Sequence, residues 1–237
     1  MADTSDFRVM TSGAFTAAHL ELLPQLERLT QKKVVTVTTS VGTGDTSIPN
    51  RLKRGEIADI VIVSDGLQRE LLEQGFVLKA GHTPLARSTI GVAVRAGAPK
   101  PDLTSTEGLK RAFLSAKTIA YSASVSGQYL TTELYQRLGI AEECLPKSKF
   151  VGGGERTGAV VARGEADIAF QQMSELLPVP GIAHITPLPP ELQKVTLFSA
   201  AVGANSPQPD LARTVIAFLA SAEAAPAIAK TGLEPLC

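Results

Sequence analysis

Short apolar or β-branched runs alternate along the chain with stretches whose apolar positions recur at helical spacing. Residues 7–10 read as a short buried strand, after which Phe15, Ala18, Leu22, Leu26 and Leu29 fall on one helical face. Residues 34–38 are a β-branched strand, and Ile48 and Leu52 predict a short helix ending at Gly55. Residues 60–63 are wholly apolar and lead into a helix over Leu67, Leu71 and Leu72 with a stop at Gly75. This alternation predicts an α/β fold with mostly parallel sheets and helices on both faces.

The pattern then repeats. Residues 90–94 read as a strand that ends in the Ala/Gly/Pro loop 96–101, followed by a helix over 103–114. Residues 118–121 form a strand, 129–138 a helix closed by Gly139, 159–162 a helix, and 167–170 a strand. The Pro-rich stretch 178–190 predicts an irregular or edge segment. A strand over 197–202 and helices over 211–219 and 222–230 complete the chain. Two similar halves in tandem predict one lobe from residues 1–84 plus 201–237 and a second from 85–200. Crossings near 84–92 and 197–203 would make a two-lobed clamp with a cleft between the lobes.

Candidate chemistry gathers in four turns rich in Ser, Thr and Gly, which follow strand-like runs: residues 11–14 (TSGA), 41–47 (VGTGDTS), 122–129 (SASVSGQY) and 152–158 (GGGERTG). Such strand-to-helix turns collect backbone N–H groups and hydroxyls where a small anion is well held. In open α/β sheets, ligands sit at strand C-terminal ends.

Composition narrows the classes. Lys+Arg and Asp+Glu balance at 23 each, which argues against a nucleic-acid partner, so any attraction for anions must be local. No apolar run approaches the length of a membrane span. No leader is visible; Met1-Ala2-Asp3 reads as an initiator ahead of a mature N-terminus, so a removed leader is expected. Cys144 and Cys237 are too few for a disulfide framework and lack metal spacing. No His and acid pair has metal-ligand spacing, no G-x-S-x-G nucleophile motif occurs, and Gly153-Gly154 lacks the lysine of a phosphate loop.

The segments 50–60 (NRLKRGEIADI), 127–129 (GQY, its helix closing at Leu138-Gly139), 162–169 (ARGEADIA) and 232–235 (GLEP), with the turn at Ser12, resemble type II periplasmic solute-binding proteins. Within them they resemble molybdate-binding proteins, along nearly the whole chain. The resemblance implies a two-lobed, exported, periplasmic protein that closes by a hinge on a small anion, with a membrane permease of an ABC transporter as possible partner. One branch of the superfamily, aconitate isomerase, interconverts trans- and cis-aconitate and makes an isomerase reading admissible.

The ligand positions depart from the molybdate pattern. Gly44-Asp45-Thr46 stands where a Ser-Ser-Gly-like turn is usual, and Gln172 stands where a tyrosine is usual. An ionised Asp45 would repel a compact oxyanion, whereas Arg156 suits a carboxylate through a paired hydrogen bond. The expected ligand is therefore a di- or tricarboxylate, with molybdate or tungstate as a further alternative. Its expected contacts are Ser12, Gly13, Gly44, Thr46, Ser47, Ser124, Ser126, Gln128, Arg156, Thr157 and Gln172.

On an isomerase reading, Asp45, Tyr129 and His19 are candidates for the base, and no cofactor or metal is called for. Each residue also has a plainer role. Ser12 and Asp45 suit helix caps, and Arg156 or the cluster Arg51, Lys53, Arg54 suits a solvated surface. His19 suits a surface or interlobe histidine, His82 a hinge loop, and His184 the surface.

Overall fold

The computed structural model describes residues 6–38 and 44–237. The expected initiator segment and the first part of the second turn, Val41 to Thr43, lie outside them. The chain divides into two compact units, Met1–Ser88 with Thr196–Cys237, and Thr89–Val195.

In the first unit β1 (Phe7–Thr11), β2 (Val34–Thr38), β3 (Ile60–Ser64), β4 (Thr83–Ser88), β10 (Thr196–Val202) and β11 (Glu234–Pro235) form a six-stranded sheet in the order β11-β4-β10-β3-β1-β2. In the second, β5 (Ile90–Arg95), β6 (Ile119–Ser122), β7 (Ser148–Val151), β8 (Ile168–Gln172) and β9 (Ile182–Pro187) form a five-stranded sheet in the order β7-β6-β8-β5-β9.

Strand direction is mostly parallel, as the repeated strand–helix pattern implies. β1 pairs in parallel with β2 and β3, and β6 with β7 and β8. Antiparallel pairs occur around β10, which lies between β3 and β4, and around β5, which lies between β8 and β9.

Side-chain alternation sends each strand to two cores. Phe7, Val9, Ile60, Ile62, Ala200 and Val202 face one side of the first sheet. There they meet α1 (Gly13–Thr30) and the last two helices, α10 (Pro209–Leu219) and α11 (Ala225–Lys230). Met10, Val61, Val63 and Ala201 face the other side, under α2 (Ile48–Lys53) and α3 (Asp65–Glu73). In the second unit Ile90, Val92, Ile119, Ile168 and Phe170 pack with α4 (Thr106–Ser115), α5 (Val125–Tyr129), α6 (Tyr135–Leu138) and α7 (Ala141–Cys144). Ala93, Ala120 and Ala169 face α8 (Thr157–Ala162) and α9 (Met173–Leu176). Each fully buried Leu, Ile or Phe contributes roughly 1.5–3 kcal/mol, which is why every sheet face that carries them is covered.

The helix expected over 129–138 is interrupted by a π-helical segment, Leu130–Leu134. β4, β7 and β11 were not expected. The Pro-rich stretch supplies β9, the edge strand beside β5. Cys144 is buried, Cys237 is exposed, and both are free thiols. Among the described residues no helix is long and apolar enough to cross a membrane, and no cluster of three His, Cys, Asp or Glu could hold a metal ion.

Candidate functional site

Because β1, β2 and β3 run the same way, their C-terminal ends share one edge of the first sheet. β1 ends in Thr11-Ser12, and the Ser12 N–H donates to the Ile62 carbonyl at 2.9 Å, tying this turn to β3. Ser12 is 3% exposed, occupies the N-cap position of α1 and makes no side-chain capping bond. Its Oγ has no hydrogen-bond partner among the described residues. Gly13 opens the helix behind it.

After β2, Gly44, Asp45 and Thr46 are exposed, and Ser47 is buried as the cap of α2, accepting from the Asn50 N–H at 3.4 Å. Arg54 donates to the Asp45 carbonyl oxygen at 2.7 Å, so the backbone at Asp45 is anchored while its carboxylate stays at the surface.

β3 leads into Asp65, which the sequence did not single out. Its Oδ1 accepts from Ser199 Oγ at 2.7 Å and lies 2.9 Å from His82 Nε2, while Oδ2 pairs with Arg69 at 2.8 Å. Burial acts to raise the Asp65 carboxyl, but the Ser199 and His82 hydrogen bonds and the Arg69 charge outweigh it and hold it below the usual range. This cluster fastens the His82 loop and β10 to the start of α3.

His19 does not lie at the strand ends. Its ring is buried against β2, with Nε2 2.9 Å from Thr36 Oγ1 near mid-strand. Burial lowers its pKa to about 4, so it is neutral at neutral pH.

In the second unit β6, β7 and β8 again share one C-terminal edge. At the end of β6, Ser122, Ser124 and Ser126 form a chain of hydroxyls, with both Oγ–Oγ distances 2.9 Å. Gly127 is required here: a Cβ on it would lie 1.7 Å from the Ser122 carbonyl oxygen. Gln128 is exposed.

Tyr129 is 1% exposed; its hydroxyl donates to the Leu192 carbonyl at 2.7 Å and accepts from Arg137 Nη1 at 2.9 Å. It therefore ties α5 to the 190–192 turn. Tyr129→Phe is expected to lower stability by about 1–3 kcal/mol by leaving both partners short of a bond, and urea unfolding measures this.

β7 leads into Gly153 and Gly154, at φ 67° and 79° in the left-handed region, and then to Arg156 at the N-cap position of α8. Arg156 is half-buried. Glu155, next to it in the chain, pairs with Arg163, and no ion pair to Arg156 is formed among the described residues.

Thr157 is buried, and both its N–H and its Oγ1 donate to Gln171 Oε1 at 2.9 Å. Gln171 Nε2 in turn donates to Glu175 Oε1 at 2.9 Å. Gln172 is buried at the N-cap position of α9. Burial pushes the Glu175 carboxyl up to about 7, opposed by the Arg156 charge and the Gln171 hydrogen bond.

Sequence reasoning missed Gln171 and Glu175. The available signal was four polar residues, Gln171, Gln172, Ser174 and Glu175, directly after the apolar strand residues 168–170. The second unit also carries a groove of about 770 Å³ lined by Arg95, Asp102, Arg111, Lys117 and Asp167. It lies at the N-terminal ends of β6 and β8, away from these turns, and its Asp167 is engaged by the Lys117 and Thr118 N–H groups.

Two α/β units joined by two passes of the chain, each gathering hydroxyl-rich turns at one edge of its sheet, define a binding-protein fold. A model of the family described as bacterial extracellular solute-binding protein matches residues 7–234, and the chain belongs to that family. It is 39% identical over 229 residues to aconitate isomerase from Pseudomonas sp, covering 96% of this chain and 87% of that protein. Among solved structures it is similar to the Azotobacter vinelandii periplasmic molybdate-binding protein, with TM-score 0.78 and 18% identity over 96% of this chain and 98% of that one. It is also similar to Peb3 from Campylobacter jejuni, with TM-score 0.70 and 16% identity over 97% and 99%. The resemblance to type II periplasmic-binding proteins therefore holds for the fold.

Proposed function

We propose that this chain is an isomerase on a solute-binding scaffold, interconverting trans- and cis-aconitate in the periplasm. The observation that carries the reading is the 39% identity to aconitate isomerase along 96% of the chain. The residues suit it. A tricarboxylate needs donors in separate places, and within the second unit the Ser122–Ser124–Ser126 hydroxyls and Arg156 are supplied by different turns. The extracellular family and the periplasmic fold relatives support the location.

The reaction is an allylic shift. A proton leaves the methylene carbon beside one terminal carboxylate, and the resulting allyl anion spreads its charge into both terminal carboxylates. A proton then returns to the former vinyl carbon, and the double bond re-forms in the other position with the opposite geometry. This requires one base and well-placed donors for the developing charge.

The family match favours a second reading, a binder that closes on a di- or tricarboxylate and hands it to a membrane permease. Incubating the protein with trans-aconitate and following proton NMR separates the two. Formation of cis-aconitate is the expected result. Calorimetric binding of aconitate or citrate without conversion would favour the binder. Micromolar molybdate binding with no heat from either carboxylate would overturn both.

A further inference from the structure

We infer that Glu175 is the group that removes and returns the proton in this shift, with Gln171 and Thr157 as its positioning residues and Arg156 as the neighbour that holds the substrate carboxylate. The inference rests on the isomerase reading.

Its ground is the order of the hydrogen bonds. Thr157 donates twice, through N–H and Oγ1, to Gln171 Oε1. The double donation sets the Gln171 amide so that its carbonyl oxygen faces Thr157 and its Nε2 faces Glu175. Nε2 donates to Glu175 Oε1 at 2.9 Å, so this oxygen is held as an acceptor. Oε2 has no hydrogen bond among the described residues and is the oxygen available to take a proton.

Glu175 is 7% exposed, in the helix that follows the C-terminal end of β8, the same sheet edge that carries Arg156 and the serine chain. Among the described residues Arg156 is the charge that acts on it. A base beside the guanidinium that binds a carboxylate is placed next to the methylene adjoining that carboxylate.

The other candidates are placed differently. His19 Nε2 is engaged with Thr36, and the Tyr129 hydroxyl with Leu192 and Arg137. Asp45 is exposed. Burial that brings Glu175 to about 7 supports the role, since a base near the working pH both accepts and returns a proton.

The step balances. Glu175 Oε2 takes the methylene proton and the C–H electron pair enters the allyl system. The neutral carboxyl then delivers a proton to the former vinyl carbon, either the one it took or one exchanged with solvent, and the exchanged fraction is what deuterium uptake reads. Glu175 ends ionised, and no oxidant, reductant or other reactant takes part.

The test compares wild type, Glu175→Gln and Glu175→Asp for aconitate isomerisation, deuterium uptake into recovered aconitate in D2O, and aconitate affinity by calorimetry. Glu175→Gln is expected to lose at least about 100-fold in both turnover and deuterium uptake, while its Kd stays within about threefold. Glu175→Asp is expected to retain partial turnover. In wild type kcat/KM should rise with pH as Glu175 ionises, and this limb should be missing from the residual activity of Glu175→Gln.

Turnover of Glu175→Gln within about threefold of wild type would sink the inference while leaving the isomerase reading intact. Loss of aconitate binding in step with turnover would reassign Glu175 to binding and overturn its proton role. A wild-type protein that neither isomerises aconitate nor exchanges deuterium would refute the isomerase reading and this inference with it. Should Glu175→Gln not fold, unchanged deuterium uptake in Glu175→Asp would overturn the proposal, and a slowed uptake with retained affinity would support it.

Discussion

Arg156→Ala is expected to weaken aconitate binding by roughly 2–5 kcal/mol, read by calorimetry at neutral pH. The residue is half-buried in a turn whose backbone is set by two left-handed glycines. The adjacent Glu155 pairs with Arg163, and Glu175, on which the Arg156 charge acts, accepts a hydrogen bond from Gln171; no ion pair ties up the guanidinium among the described residues. A paired hydrogen bond to a carboxylate is strong and geometrically demanding, so Arg156→Lys should recover only part of the loss. Much of the cost in the alanine variant would come from a ligand carboxylate left without its cation. A change in Kd below about threefold would remove Arg156 from the binding site.

The second large effect is on stability. Burial raises the folded-state pKa of Glu175 from the ordinary 4.5 to about 7. For an acid raised in this way, the favourable contribution is fully present below the unfolded value. It is lost as pH rises through the folded value, because the unfolded chain ionises first. The shift corresponds to roughly 3 kcal/mol between pH 4 and 8. Glu175→Gln has no such titration, so the stability difference between wild type and variant should move against wild type by about that amount over this range. Urea unfolding at several pH values measures it, and a flat difference would show that Glu175 is not desolvated in solution.

The two predictions concern neighbours, so they should not add. Removing Arg156 takes away the charge that opposes the rise of the Glu175 pKa. The acid would then stay protonated to higher pH, and the stability change of wild type over the titration would lengthen in an Arg156→Ala background.

Much of the α/β character could be read from the chain because the signal is local. The apolar runs at 34–38 and 60–63 and the helical spacing from Phe15 to Leu26 depend on what each residue can bury, and all lie where that reading put them. Ser12 and Arg156 were legible as turn residues because the glycines and hydroxyls beside them mark strand-to-helix turns. Strand β4 was less legible, since Thr83-Pro84 and Arg87-Ser88 break the alternation. Its residues form a strand because β10 lies alongside and satisfies their backbone groups.

By itself the sequence determined most of the strands and helices and which turns carry hydroxyls and an arginine, since these follow from side-chain burial and backbone preference within a few residues. Tertiary structure alone decided that β10 returns antiparallel between β3 and β4. It also decided that Tyr129 ties α5 to a distant turn, and that Glu175 is bonded to Gln171 and through it to Thr157 in a buried chain on which the Arg156 charge acts. The physical reason is that pairing and desolvation depend on neighbours remote in sequence. A carboxyl titrates near 4.5 or near 7 according to how much water the packed elements around it exclude.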